Sequence, residues 1–347
     1  MSATTSAAHP SPMHFFQTIH AYQSTAALQA GIALDVFTHL ARRGTATATE
    51  LAADCKAHPK GIRVLCDYLV LSGLLTKQAP SPDWTTHRWS NTPDSQLFLD
   101  ARSPAALTGS VAFLGHEGMK PVVDELIAAV RKGGTPHPGD GSVEVENPAW
   151  VDFARTMVPI VLPGADRLPE LLGTKPETVR ILDVAAGHGM FGIRCAQANP
   201  QAHITALDWK NVLVVAKENA QKFGVSDRYT TIPGSAFDVE WGSQYDVVLL
   251  TNFLHHFDIP TNEALLRKSR AALKPGGKVA ILEFVPNDDR VTPPPAASFV
   301  MIMLRETPGG DAYTLRELSG MLTSTGFRDV QAHSLDPHPE TWVMATA

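Results

Sequence analysis

The chain has 347 residues, 44% of them hydrophobic and 18% charged, with a formal charge of −6 and a pI near 6.1. This describes a globular chain of roughly two domains with ample apolar material for a core. It excludes a general attraction to nucleic acid or to an anionic membrane, and no apolar run approaches the roughly 20 residues that cross a bilayer.

Residues 1–12 are Ser, Thr, Ala and Pro without a basic start or an apolar core. They read as a disordered tail rather than a signal peptide, so a cytoplasmic location is expected. Apolar residues at Phe16, Ile19, Ala26, Ala27, Ala30, Leu34 and Phe37 predict a helix over 15–40. Thr47 and Glu50 form a capping box that opens a second helix. His58-Pro59 opens a third, which Gly73 closes. Two short strands, 74–76 and 88–90, flank the turn Pro80-Ser-Pro82. Two helices followed by such a pair are the winged-helix pattern. Acidic and basic residues nearly balance over 1–110, and the helix after Pro59 turns apolar beyond Lys60 and Arg63. That face suits a partner chain better than DNA.

Residues 104–172 read as helical, broken by Gly133-Gly134 and by Pro136-His-Pro138-Gly139. From Val179 onward, strands near 179–185, 203–207, 230–232, 245–250 and 278–284 alternate with helices near 190–198, 211–223 and 262–273. Two final strands surround Pro337-His-Pro339. The expectation is an α/β fold with a doubly wound, mostly parallel sheet ordered 3-2-1-4-5 in its first five strands. The domains divide at 1–103, 104–172 and 173–347. The cysteines Cys55, Cys66 and Cys195 lack metal-ligand spacing and read as buried thiols in a reducing compartment. The dispersed histidines give no metal site.

The segment Ile181-Leu-Asp-Val-Ala-Ala-Gly-His-Gly-Met-Phe191 runs from a strand through a glycine turn into a helix. Gly187, Gly189 and Gly192 spell GxGxxG, with Asp208 about 20 residues further on, followed by Trp209. This is a nucleoside-cofactor site at the carboxyl edge of a parallel sheet. Asp183, just before the turn, repels a pyrophosphate and attracts a cation. The site therefore favours S-adenosyl-L-methionine over a dinucleotide. An NAD-linked oxidoreductase is the rival from another enzyme class, and a winged-helix DNA-binding regulator the rival outside enzymes.

With these segments, Leu254-His-His-Phe-Asp258, Lys274-Pro-Gly-Gly277 and Thr307-Pro-Gly-Gly310 complete a pattern that resembles the class I methyltransferases. More narrowly, it resembles the plant-type and bacterial natural-product small-molecule O-methyltransferases with an N-terminal winged-helix dimerisation domain. The resemblance covers nearly the whole chain. It implies a homodimer in which one protomer helps to close the other's pocket, and a small, aromatic or polyketide-like acceptor. N- or C-methylation is the alternative on the same fold.

A phenol titrates near pH 10, so a base must take its proton as it attacks. His255, at the end of the strand over 245–250, lies beside the glycine loop in this topology and suits that role; otherwise it caps the strand or packs in the crevice wall. The family's catalytic histidine also falls on His255, while its following Asp is His256 here. Glu283 ends the strand over 278–284, where it orients the imidazole or is a solvated strand-end charge. In the resemblance it matches the first of two glutamates that flank the histidine. The second matches Ala312, leaving Asp311 or Glu306 as substitutes. Asp258 reads as a helix N-cap.

The resemblance places adenine contacts at Ser235, where the family tends to have an acid, and at Ala236, where it has a large apolar residue; both are smaller here, which leaves Phe237 to supply much of the adenine contact. It places a further cofactor contact at Thr251, shorter than the family's usual lysine. Phe237 reads equally as core. Candidate acceptor walls are Phe113 and His116, Phe153 and Met157 at i and i+4, His256, and Phe299 and Met303 on one helix after Pro293-Pro-Pro295. Met303 matches a substrate-contacting methionine of the family.

Overall fold

The computed structural model describes residues 11–115, 123–139, 141–173 and 178–347. Its contacts divide the chain into two units, Met1–His116 and Glu117–Ala347.

In the first unit, three helices replace the single one expected over 15–40: Met13–Ile19, Tyr22–Ala33 and Val36–Arg43. The second break falls at Asp35, whose φ of 53° is left-handed and reverses the chain. The reversal brings the buried ring of Phe37 back onto Gly31, where a Cβ would lie only 3.0 Å from that ring. β1 (Ala46–Thr47) leads into the helix Ala48–Asp54, which opens with the expected capping box of Thr47 and Glu50. The helix Pro59–Leu71 follows, with His58 as its N-cap. β2 (Leu75–Gln78) and β3 (Arg88–Asn91) then form an antiparallel sheet ordered β1-β3-β2, with Trp89 buried beneath it. Met13, Phe15, Phe16, Ile19, Tyr22 and Val64 of this unit are exposed.

The second unit opens with the helices Val123–Lys132, Ala149–Thr156 and Val158–Leu172. Its sheet contains β4 (Val179–Val184), β5 (Ala202–Asp208), β6 (Tyr229–Pro233), β7 (Tyr245–Thr251), β8 (Leu273–Phe284), β9 (Arg328–Ser334) and β10 (Glu340–Thr346). The order is β6-β5-β4-β7-β8-β10-β9. The first five strands are parallel, as expected. β10 runs antiparallel to both β8 and β9. β8 starts earlier than expected because Lys274-Pro-Gly-Gly277 is drawn into the strand.

The sheet is buried on both faces, as apolar central strands require. Ile181, Val247, Leu249, Ala280 and Leu282 point to one cluster. Leu182, Val184, Val248, Leu250, Val279 and Ile281 point to the other. That two-residue alternation fixes register. It sets Asp183 beside Ala206 of β5 and Leu249 of β7, and brings the carboxyl ends of β4, β5, β7 and β8 to one edge.

Candidate active site

Three loops at that edge hold the expected cofactor residues. The turn after β4 is left-handed at Ala185, Gly187 and Gly189. A Cβ on Gly187 would meet only open space, so a ligand has room there; a Cβ on Gly189 would strike the Tyr229 hydroxyl. Asp208, partly exposed at the end of β5, accepts the Gly187 N–H at 2.7 Å and the Trp209 N–H at 2.6 Å. Burial raises its pKa to about 6 against the pull of those two donors. The Gly234 N–H bonds the Asp208 carbonyl at 2.9 Å, which ties the third loop to the second. In that third loop Ser235 is half-buried and Ala236 buried. Phe237 is 44% exposed rather than core, with its ring edge-to-face on Phe257 at 5.1 Å. Trp209 packs against the buried cluster of Ala154, Val212 and Val215, as do Trp150 and Val151.

Asp183 differs from expectation. It is fully buried, with Oδ2 accepting the Gly192 N–H at 3.2 Å and Oδ1 lacking a partner. Burial raises its pKa to about 8, opposed by the Gly192 N–H and reinforced by Asp208. At neutral pH it is therefore mostly the neutral acid. The charge of Asp183 alone thus does not distinguish a cationic methyl donor from a dinucleotide.

The base candidates come together as the topology required. Leu254–His256 is a single 3-10 turn after β7, and all three residues are buried. His255 Nδ1 lies 2.6 Å from Glu283 Oε2 at the end of β8. Glu283 Oε1 accepts the backbone N–H groups of Phe253, Leu254 and His255 at 3.0, 2.8 and 3.3 Å. Glu283 is only 2% exposed, so it is no solvated strand-end charge. His255 Nδ1 faces the second oxygen of this carboxylate and is placed to donate to it, which turns Nε2 away from Glu283. A Cβ on Gly310 would strike the His255 carbonyl, so the Thr307-Pro-Gly-Gly310 segment closes over this turn. Thr251, buried at the end of β7, precedes it. Asp258 caps the next helix through the Thr261 N–H at 3.0 Å.

Neither substitute for the second glutamate reaches the histidine. Asp311 pairs with Arg290 at 3.2 Å and Glu306 with Arg305 at 2.6 Å, while Ala312 is buried.

An aromatic wall joins the base to the glycine loop. The His255 ring lies 4.3 Å from His256 and 4.8 Å from Phe299, which stacks on Phe284 at 4.0 Å. His256 meets Trp150 edge-on at 5.3 Å, Trp150 meets Phe153 at 5.5 Å, and Phe153 stacks with His188 at 6.4 Å. Burial, then the neighbouring His255, lowers the His256 pKa well below its ordinary value. Met157 is buried and follows Phe153 at i+4. Phe299 separates two short helices, Pro294–Ser298 and Val300–Glu306, instead of lying within one with Met303; Met303 is buried on the second. Phe113 lies on Val111–Leu114 of the first unit. His116 lies outside the described residues.

Sequence reasoning passed over Trp150, His188, Tyr229 and Glu340. His188 Nδ1 accepts the Met190 N–H at 3.1 Å, and burial lowers its pKa to about 4. Its place inside the GxGxxG string was a usable signal. Glu340 is buried beside Glu283, with Asn252 on its carboxyl; burial raises its pKa to about 7. Only the strand pairing of β8 with β10 reveals it.

The site thus belongs to a doubly wound α/β protein, with a glycine turn after one strand and a carboxylate-held histidine at the end of its neighbour. Residues 175–328 match the O-methyltransferase domain model and residues 16–101 the O-methyltransferase dimerisation domain model. The crystal structure of a candidate O-methyltransferase from Nostoc punctiforme is 44% identical, with a TM-score of 0.91 over 98% of this chain and 100% of that one. The chain belongs to the O-methyltransferase family with an N-terminal dimerisation domain. The tetracenomycin polyketide synthesis 8-O-methyl transferase of Streptomyces glaucescens is 27% identical over 92% of each chain. Human N-acetylserotonin methyltransferase, solved in complex with SAM, shares the fold with a TM-score of 0.81 at 21% identity, over 100% of this chain and 99% of that one. Among the described residues, no helix is long and apolar enough to cross a membrane.

Proposed function

We propose that the protein transfers a methyl group from S-adenosylmethionine to a hydroxyl of a small aromatic or polyketide-like molecule, with His255 as general base. The observation that carries this reading is the 2.6 Å contact of His255 Nδ1 with Glu283. It leaves Nε2 as the proton acceptor, and Nε2 carries no hydrogen bond among the described residues. Glu283 acts on the substrate only through the imidazole and the turn that bears it.

The cofactor supplies an activated methyl group on a sulfonium, so the protein's task is to align, exclude water and accept a proton. Gly187 gives a nucleoside room at the loop. Asp208 keeps acceptor capacity for ribose hydroxyls beyond its two backbone donors, and Gly189 keeps the loop tight against Tyr229. Trp209, Ser235, Ala236, Phe237 and Thr251 complete the cofactor side. The Asp183 oxygen without a partner carries the acid's proton while Oδ2 accepts the Gly192 N–H, and no described residue supplies the acceptor it lacks. His256, Phe153, Met157, Phe299 and Met303 form an apolar wall for a flat acceptor. The polyketide role in the name of the Streptomyces relative supports that acceptor class. The exposed apolar side chains Phe16, Ile19, Tyr22 and Val64, within the dimerisation match, support a homodimer.

Thermal denaturation with S-adenosylhomocysteine and, separately, with NADH tests the cofactor. A ligand at about 100 times its Kd stabilises by roughly 2.7 kcal/mol. The homocysteine derivative is expected to raise the midpoint and NADH to leave it unchanged; the reverse pattern rejects the reading.

A further inference from the structure

The loop that carries Ser235, Ala236 and Phe237 has an unusual support. Lys268, on the helix Ile259–Ala272, donates to three carbonyls of this loop. Its Nζ lies 2.9 Å from Ala236 O, 2.9 Å from Phe237 O and 2.8 Å from Val239 O. An ammonium has three N–H donors, and here each has an acceptor. The Trp241 ring lies 5.2 Å from the same ammonium, and its Nε1–H bonds the Ala236 carbonyl at 2.9 Å. Converging carbonyl dipoles repel one another, so this loop shape depends on the cation at its centre.

The same helix holds the other half of the site. Fully buried Asn262 donates through Nδ2 to Leu254 O at 2.9 Å and Phe257 O at 3.1 Å, the carbonyls that bracket His255 and His256. Six residues separate Asn262 from Lys268, about 9 Å along the helix axis. One rigid element thus fixes the turn of the base at its start and the Ala236–Val239 loop nearer its end.

We infer that Lys268 is a positioning residue for the cofactor, holding the adenine-side loop in register with the His255 turn through a shared helix. The inference rests on the reading of Ala236 and Phe237 as the adenine wall. Lys268→Met keeps the side-chain length and removes every donor. Lys268→Arg keeps the charge and offers several N–H groups.

The test is calorimetric binding of S-adenosylhomocysteine and of adenosine to full-length wild type, Lys268→Met, Lys268→Arg and Phe237→Ala. Lys268→Met is expected to weaken both ligands by the same factor, about tenfold, because only the adenine end loosens. Lys268→Arg is expected to recover most of that loss, a rescue that general destabilisation does not produce. Unchanged affinity in Lys268→Met overturns the proposal, as does a loss confined to S-adenosylhomocysteine or one that arginine fails to rescue. Unchanged affinity in Phe237→Ala instead overturns the adenine-wall reading beneath it. Should the Met variant fail to fold, Lys268→Gln, which keeps an amide donor, carries the same expectations at a smaller loss.

Discussion

Asp183 shows how burial changes what a residue type means. As an acid before a glycine turn it suggests a fixed negative charge, yet zero exposure holds it as a neutral acid up to about pH 8. Its unfolded pKa is about 3.9. The folded chain therefore keeps a proton that the unfolded chain releases. Stability from this group is complete below about pH 4 and drains away as pH rises through about 8. Glu340, raised to about 7, adds to the same slope over the lower part of that window. The lowered His188 and His256 oppose this slope below about pH 6.5. Above it the denaturation midpoint is expected to fall up to about pH 8.5, and Asp183→Asn to flatten much of that fall. Its share is on the order of a few kcal/mol at most. Parallel midpoint curves for the two proteins would sink the assignment. Residue identity and strand-end position made the placement of His255, Glu283, Gly187 and Asp208 at one sheet edge legible in the sequence. The protonation of Asp183 was not legible, because it depends on solvent excluded by packing from several elements.

At the scale of elements, the parallel strands were read well because their apolar residues alternate between two buried clusters, leaving little freedom in type or register. The neighbouring placement of β4 and β7 followed from the doubly wound order and brought His255 to the same sheet edge as the glycine loop. Helix ends were harder to read. The break at Asp35 has no Gly or Pro to announce it; it exists because Phe37 must return to Gly31. Phe299 similarly divides a stretch that reads as one helix. The aromatic wall was half legible. Phe153, Met157 and His256 were found from spacing and neighbourhood, but Trp150 and His188 join them only through tertiary contact. The missing second glutamate was visible as Ala312, and among the described residues neither Asp311 nor Glu306 takes its place, each being paired with an arginine. Glu283 holds the imidazole without that partner, through an anchor of three backbone donors.

For the whole molecule, the family match and the exposed apolar residues of the first unit lead to an assembly prediction. Phe15, Phe16, Ile19 and Tyr22 are 65%, 47%, 54% and 66% exposed on two successive helices, large apolar side chains that a partner chain would cover. Light scattering at micromolar concentration is expected to give about twice the chain mass of 37.4 kDa, and Phe16→Glu with Ile19→Glu to shift it toward the monomer. A monodisperse wild-type monomer contradicts the dimer. The central claim remains that His255 takes the acceptor's proton, and paired kinetics and binding test it most directly. With an acceptor identified from a panel of phenolic and polyketide-like hydroxyls, His255→Ala is expected to lose about 10²–10⁴-fold in turnover. Its affinity for S-adenosylhomocysteine should stay within about twofold of wild type, since the histidine lies outside the nucleoside loops. Turnover close to wild type in that variant contradicts the account.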